Sequence, residues 1–240
     1  MVKLAVTGCM GRMGQRITEL ASRNPDFQIV ALIERPEAPD VPAQLAGIKV
    51  STDIRAIKGA DVLIDFTAPE ATMKNLDFCL QNRIRMVIGT TGLTVDQDEK
   101  IIKASHSLAL VRSSNMSIGV NVLFGVLRKM TEALKGYDVS ITETHHIHKK
   151  DSPSGTAKTM AEIVALSSAR QLCNVPVESL REGEVIGYHK VTFDGPVDTI
   201  EISHNAKTRD MFAEGALVAA KFVAYKDNGL FSMQQVLGLD

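Results

Sequence analysis

The strongest constraint on the fold lies in the first fourteen residues. Val2 to Gly8 (VKLAVTG) is a short apolar run of the kind buried in a parallel sheet, and GCMGRMG leads it directly into a helical segment ending near Arg23. A strand, a glycine turn and a helix in immediate succession predict the first unit of a parallel α/β sheet. Gly8, Gly11 and Gly14 fall where a dinucleotide-binding turn needs a tight bend, close backbone approach to a pyrophosphate and close helix-to-strand packing. Met10 stands where the common fingerprint has its middle glycine. The next strand-like run, QIVALIE, ends at Glu34, twenty residues beyond Gly14, where a carboxylate would accept hydrogen bonds from an adenosine ribose. Arg35 follows it. The plainer reading of Glu34 and Arg35 is a solvated strand end.

After a proline-broken loop from Arg35 to Pro42 the alternation resumes: ADVLIDFT, PEATMKNLDFCLQNR, RMVIGTT, TVDQDEKIIKASHS and LALVRSSN. Helix starts are expected at Pro69 and Thr94. Ligands of a doubly wound sheet bind beyond the C-terminal ends of its strands. That nominates Phe66 and Thr67, then Gly89, Thr90 and Thr91, and then Ser113, Ser114, Asn115 and Met116. The small, polar GTTG turn (89–92) would let a nicotinamide lie against backbone, or is a plain turn.

From Ser117 to Lys135 an apolar helical stretch leads to a second chemistry-bearing segment, ETHHIHKKDSPSGTA (143–157). The preceding residues alternate as a strand and the following ones, PSGTAKTMAEIVALSSAR, space as a helix, so the histidines occupy a strand-to-helix turn. Adjacent at a strand end, His145 and His146 face opposite ways and have different tasks. Pro153 suits the first helical turn. Open N–H groups around Ser154, Gly155 and Thr156, with Lys149 and Lys150 beside them, would hold an anion. An imidazole, an ammonium and an anion-binding helix start together point to proton transfer on a carboxylate- or phosphate-bearing substrate. Three histidines in four positions could instead bind zinc, but two lysines repel a cation and no cysteine is near, so no metal site is expected. A polar loop without function is the remaining alternative.

Three further strand-like runs, VPVESLRE, VIGYHKVTFD and VDTIEISHNA, are separated by Gly and Pro turns as in an antiparallel meander. The closing helix, DMFAEGALVAAKFVAYK, could cover that sheet or return to the first domain. Composition narrows the partners. With 27 Lys plus Arg against 28 Asp plus Glu and no long run of either sign, neither a nucleic-acid nor a membrane-surface footprint is expected, which leaves small molecules. Three scattered cysteines (9, 79 and 173) suit a reducing compartment rather than a disulfide framework. No signal peptide and no membrane-spanning run is read, so a cytoplasmic location is expected.

Taken together, GCMGRMG, Glu34-Arg35, GTTG, SSNMSIGVN (113–121), ETHHIHKKDSPSGTA and the later REGEVIGYH (181–189) resemble the dihydrodipicolinate reductase family nearly end to end. The histidine–lysine–SGT segment carries most of that specificity. The resemblance implies a Rossmann-type doubly wound parallel sheet plus a C-terminal α+β domain with a mixed or antiparallel sheet. It implies a dinucleotide-binding domain over 1–117, rejoined by 213–240, and a substrate-binding and oligomerisation domain over 118–212. It further implies reduction of 4-hydroxy-tetrahydrodipicolinate with NADH or NADPH and loss of water, in a homotetramer joined through its C-terminal sheets. Residue by residue, it assigns proton transfer to His145 and Lys149, substrate contact to His146, and a substrate carboxylate to Ser154, Gly155 and Thr156. It places the dinucleotide on Gly8, Cys9, Met10, Gly11, Arg12, Met13, Glu34, Arg35, Gly89, Thr90, Thr91, Ser113, Ser114, Asn115 and Met116. The chain departs from the family pattern at Ile147, where many relatives are basic, and in a short stretch between Ser168 and Arg181. A reductase of another small imine or carbonyl acid would share the cofactor turns, and a dinucleotide sensor would have no use for the histidine turn.

Overall fold

The opening strand β1 (Val2–Thr7) is buried at all but one of its six positions, as a strand covered on both faces must be. The computed structural model of the chain describes residues 1–38, 41–168 and 175–239. Around β1 an eight-stranded sheet assembles from β2 (Phe27–Ile33), β3 (Gln44–Leu45), β4 (Ile48–Ser51), β5 (Val62–Asp65), β6 (Arg85–Ile88), β7 (Ala109–Arg112) and β12 (Gly229–Phe231). Its order is β12-β7-β6-β5-β1-β2-β4-β3, parallel throughout except for the β3–β4 pair at one edge. The order reverses at β1, so the crevice beyond β1 and β5 is the switch point where such sheets take ligands.

Helices cover both faces. α1 (Arg12–Ser22) turns Gly14, Ile17, Thr18 and Ala21 inward, and its core is shared with Ala213, Ala216 and Ala220 of α6 (Asp210–Val223). On the opposite face α2 (Pro69–Asn82) and α3 (Val95–Ser105) pack Leu76, Cys79, Ile101 and Ala104 over Leu63, Met86 and Leu110. The expected helix starts hold: Pro69 is the first residue of α2, and Thr94 closes a capping box with Gln97. Short elements that the sequence reading left as loop complete the unit: β3, β4, a 3₁₀ turn at Ile54–Ile57, β12 and α7 (Met233–Leu237). Elements of two to five residues have no room for a period, so only tertiary contacts define them.

The chain divides into two compact units, 1–117 with 212–238 and 118–211 with 239–240. The second is built on a four-stranded sheet of order β11-β10-β8-β9, from β8 (Asp138–His145), β9 (Val177–Arg181), β10 (Tyr188–Asp194) and β11 (Thr199–Asn205). It corrects the expected meander. β9 runs parallel to β8, and β10 pairs antiparallel on the other side of β8, so β9 and β10 are not neighbours. The strand periods were legible, whereas pairing order depends on contacts distant in sequence. α4 (Ile118–Ala133) and α5 (Gly155–Ser168) cover one face, closing a core of Leu123, Phe124, Leu127, Ile141, Met160 and Phe193. The other face presents Ser140, Thr142, Lys190, Thr192 and Glu201, with Leu180 exposed among them. The expected extension of α5 to Arg170, Cys173, and much of the short stretch between Ser168 and Arg181 lie outside the described residues.

Candidate active site

In the first unit the glycine turn is shaped by the side chains it lacks. Gly8 adopts φ +64°, and a Cβ there would stand 2.9 Å from the Thr67 side chain. A Cβ on Gly14 would lie 2.1 Å from the Gly8 carbonyl oxygen, so no other residue lets α1 start this close to the turn. Gly11 caps α1 with no side-chain acceptor, and the first turn carries no acidic residue, which leaves a helix start suited to an anion. Cys9 is fully buried, with its N–H on the Ile33 carbonyl (3.2 Å), and burial followed by the Glu34 charge pushes its thiol up to about 11. It can therefore meet a ligand only through its backbone. Met10 and Met13 pack partly into the core, while Arg12 is exposed. Glu34 is nearly buried, and its two oxygens accept the N–H groups of Met10 (2.9 Å) and Arg35 (3.0 Å), which fixes the carboxylate against the turn.

Around the neighbouring strand ends a second network holds the crevice loops. Buried Asp65 accepts from the Thr67 N–H (2.8 Å), the Thr67 hydroxyl (2.6 Å) and Asn75 (2.8 Å), and the Thr72 hydroxyl donates to Thr90 (2.8 Å). Sequence reasoning missed Asp65 and Asn75. An acidic residue closing the apolar run VLID was the available signal. Gly89 is required by Phe66, whose ring would be 2.2 Å from an added Cβ. Ser113 closes on Asn115 in both directions (2.7 and 3.2 Å), and the Asn115 side chain accepts the Ser117 N–H (2.9 Å). Met116 is buried beneath Gly215 of α6, whereas Thr91 and Ser114 are exposed. This cradle, kept open at Gly8 and Gly14 and bounded by an uncapped helix start and a fixed acidic side chain, fits a dinucleotide.

In the second unit the site grows from the face of β8 that carries Val139 and Ile141 into the core. Two residues further on that face comes Glu143, and two further His145, with Glu143 fully buried and His145 7% exposed. His145 Nδ1 lies 2.6 Å from Glu143 Oε2, a close ion-pair approach whose angle falls outside a formed hydrogen bond. The other carboxylate oxygen, Oε1, accepts the Ser154 N–H (3.0 Å) and Arg181 Nη2 (3.2 Å). Register assembles the rest: Arg181 of β9 stands opposite His145, and His189 of β10 opposite Glu143. The His145 and His189 rings meet edge to face at 5.0 Å, and His189 Nε2 is 3.3 Å from the Ser154 hydroxyl. A Cβ on Gly187 would come within 3.1 Å of His145 Nε2, so that glycine keeps the outer ring nitrogen clear.

Ser154 caps α5 through its hydroxyl, which accepts the Ala157 N–H (3.2 Å). This corrects two details. Pro153 precedes the cap, behind a cis Ser152–Pro153 bond, instead of entering the first helical turn, and the Ser154 N–H is already given to Glu143. Gly155 is exposed at the helix start, where an added Cβ would meet nothing within 4 Å. Thr156 follows it, half-buried. Lys149 Nζ pairs with Asp151 (2.9 Å), His146 is half-buried with its ring 6.2 Å from that of His148, and Lys150 and Ile147 are exposed. Glu143, Arg181 and His189 were missed as site residues, although REGEVIGYH had been marked. Strand register, which no local motif encodes, brings the last two in.

Electrostatics follow from burial. Burial pushes the Glu143 carboxyl up, but hydrogen bonding from Ser154 and the neighbouring His145 outweigh it and hold it below the usual carboxylate range. Burial depresses the His145 imidazole; Glu143 opposes that, while Lys149 and Arg181 reinforce it. His189 is depressed to about 4, first by burial and then by His145. Glu143, His145 and His189 each bring one donor atom within 4.8 Å of the others. The carboxylate already serves two N–H donors, and two cationic side chains stand nearby, so this set suits a proton and an anion better than a metal ion.

The sequence matches two families along nearly its whole length: "Dihydrodipicolinate reductase, N-terminus" over residues 2–116 and "Dihydrodipicolinate reductase, C-terminus" over 119–237. It is 42% identical to 4-hydroxy-tetrahydrodipicolinate reductase of Geotalea daltonii, with all of both chains covered. To the enzyme of the same name from Nitrosospira multiformis it is 40% identical, over 99% of this chain and 98% of that one. Among solved structures, a dipicolinate-bound dihydrodipicolinate reductase from Paenisporosarcina sp. TG-14 superposes with a TM-score of 0.87 at 24% identity, covering 98% of each chain. That last likeness concerns the fold.

Proposed function

The chain belongs to the dihydrodipicolinate reductase family, and from that premise we propose how its residues divide the work. It is a pyridine-nucleotide-dependent oxidoreductase that reduces 4-hydroxy-tetrahydrodipicolinate to tetrahydrodipicolinate with loss of water, in the diaminopimelate route to lysine. The observation that carries the residue assignment is the Glu143–His145 pair set against the start of α5 beside Lys149.

The first unit, with its returning C-terminal helix, is the dinucleotide-binding domain, and the second is the substrate-binding and oligomerisation domain. The backbone of Gly8 to Met13 and the start of α1 hold the pyrophosphate. Glu34 and Arg35 meet the adenosine ribose, and Gly89 to Thr91 and Ser113 to Met116 line the nicotinamide end. When bound, the nicotinamide supplies a hydride. Both NADH and NADPH serve, NADH at least as well: the fixed Glu34 charge favours free ribose hydroxyls, and Arg35 can pair with a 2′-phosphate.

In the second unit the backbone N–H groups of Gly155 and Thr156, with Ser154 capping the same turn, and the helix dipole bind one carboxylate of the substrate, and His146 contacts the ring. His145 and Lys149 handle the proton that the reaction consumes with the hydride as water leaves. In the resting site burial makes the His145 imidazole harder to protonate, and a dicarboxylate beside it adds the negative charge that favours imidazolium. Substrate binding thus arms its own acid. Four copies of the chain join through the uncovered faces of the four-stranded sheets, where Leu180 is exposed. No helix among the described residues is long and apolar enough to cross a membrane, and we place the enzyme in the cytoplasm.

The decisive assay is nicotinamide oxidation in the presence of freshly condensed pyruvate and aspartate semialdehyde. Rapid oxidation is expected, undiminished after exhaustive chelation. Turnover only with another imine or carbonyl acid in a substrate panel would refute the substrate assignment. The pocket is tested without chemistry by pyridine-2,6-dicarboxylate, which should compete with substrate and not with NADH. Pyridine-2-carboxylate should bind about ten- to a hundredfold more weakly, having lost one charge-assisted contact.

A further inference from the structure

We infer that Glu143 is a positioning residue for the reaction: one oxygen sets the ring of His145, and the other ties the start of α5 and Arg181 to the same carboxylate. The inference rests on the reading of His145 as the proton donor. Glu143 does not reach the substrate itself, because it is fully buried and the outer ring nitrogen of His145, kept clear at Gly187, stands beyond it. The carboxylate charge 2.6 Å from Nδ1 favours a proton on that nitrogen, which leaves Nε2 to take up and deliver the second proton. This is the carboxylate–imidazole logic of other proton-handling enzymes. The difference lies in the second oxygen. Through the Ser154 N–H it fixes the residue immediately before Gly155, so the proton donor and the anion-binding turn are referenced to one buried group rather than to two independent loops.

A buried charge is costly unless fully satisfied, and the surroundings meet that cost. The charged and titratable groups around His145 are Glu143 on its own strand, Lys149 and Asp151 on the following turn, Arg181 on β9 and His189 on β10. Of these, Glu143 brings a carboxylate oxygen to 2.6 Å from Nδ1 of the ring, and its charge favours imidazolium against burial and two cations. Its removal should leave a ring that is harder to protonate.

The test uses Glu143→Gln, because the amide can still accept the Ser154 N–H and Arg181 through its oxygen. Its NH₂ would face Nδ1 as a donor, forcing the wrong tautomer. In the full-length enzyme kcat should fall roughly ten- to a thousandfold. The basic limb of the kcat profile should move to lower pH, since a lower imidazolium pKa exhausts the acid form sooner. Affinity for pyridine-2,6-dicarboxylate, measured by calorimetry, should stay within about threefold of the parent. Glu143→Ala should lose both kcat and dicarboxylate binding; if that variant does not fold, the glutamine variant carries the test alone. The proposal is overturned if Glu143→Gln keeps kcat within about threefold, or if kcat and dicarboxylate affinity fall in parallel with the pH limb unmoved. His145→Ala is the separate control. Its full activity would sink the underlying reading of the site, whereas a large loss there beside an active Glu143→Gln sinks this inference only.

Discussion

At Gly8 to Gly14 the chain works by clearing space, and at Glu143 to Gly155 it works by filling it. In the glycine turn the decisive facts are side chains that are absent: a Cβ at Gly14 would collide with a carbonyl oxygen at 2.1 Å, and α1 starts without a side-chain cap. Recognition there falls to backbone N–H groups and one fixed carboxylate. In the histidine turn every element contributes a charged or polar side chain, and the central carboxylate is fully buried. The contrast follows from what each site must do. A cofactor that enters and leaves intact needs a shape, whereas a proton that changes owner needs groups whose affinity for it is tuned by neighbours.

The sharpest way to break the comparison is at His145. His145→Ala should lower kcat by about two to four orders of magnitude, the range for a positioned acid, with NADH affinity nearly unchanged. Lys149→Ala should behave similarly, and exposed Lys150→Ala should do little. Equal damage from Lys150 would show that the register of proton-handling groups through this turn is wrong. Next in size is Gly14→Ala. Because the obstructing atom is backbone, the turn itself must shift, and NADH should bind roughly ten- to a hundredfold more weakly while pyridine-2,6-dicarboxylate binding persists. Unchanged NADH affinity would mean that the turn does not hold the pyrophosphate.

The same contrast decides what the sequence reveals. The glycine turn is local: strand, glycines and helix are contiguous, and Glu34 lies one strand further on, so residue spacing alone predicts the arrangement. In the histidine turn, spacing yields His145, Lys149 and Ser154, which one short segment carries. It does not yield Arg181 and His189, which arrive on β9 and β10 through register with β8. Glu143 was within reach, because alternation puts it on the His145 face, yet a charged residue on a strand reads as solvated until burial is known. The meander was misjudged for a related reason: strands of similar period pair in several orders, and the sequence does not rank them.

A smaller effect, about a factor of ten per pH unit, sharpens the comparison through stability. His189 is held neutral by burial, with its pKa lowered from the ordinary 6.5 to about 4, while the unfolded chain protonates near 6.5. Above pH 6.5 neither state binds the proton and the group contributes no slope. As pH falls from 6.5 to about 4, only the unfolded state takes it up, so stability declines by up to about 1.4 kcal/mol per unit. His145 and His204, also depressed, act in the same direction. His189→Gln should flatten this slope in thermal unfolding measured across that interval, whereas an unchanged slope would place the missing charge elsewhere. Among the described residues the first unit has no buried histidine, so the effect belongs to the site that fills space.

The smallest expected effect lies at Arg35. Glu34 is fixed by the Met10 and Arg35 N–H groups and cannot turn away from a 2′-phosphate, so any tolerance of NADPH must come from a neighbouring cation. Arg35 is exposed, and an exposed ion pair contributes up to about 1 kcal/mol, or roughly fivefold in affinity. Arg35→Ala should therefore weaken NADPH binding about twofold to fivefold and leave NADH nearly untouched. An equal loss for both cofactors would assign the guanidinium to the adenine ring, which they share. Calorimetry in which the parent enzyme binds NADPH alone would overturn the preference itself. In either case the correction would fall on a side chain at the rim, while the backbone cradle, which reads the pyrophosphate common to both cofactors, would stand.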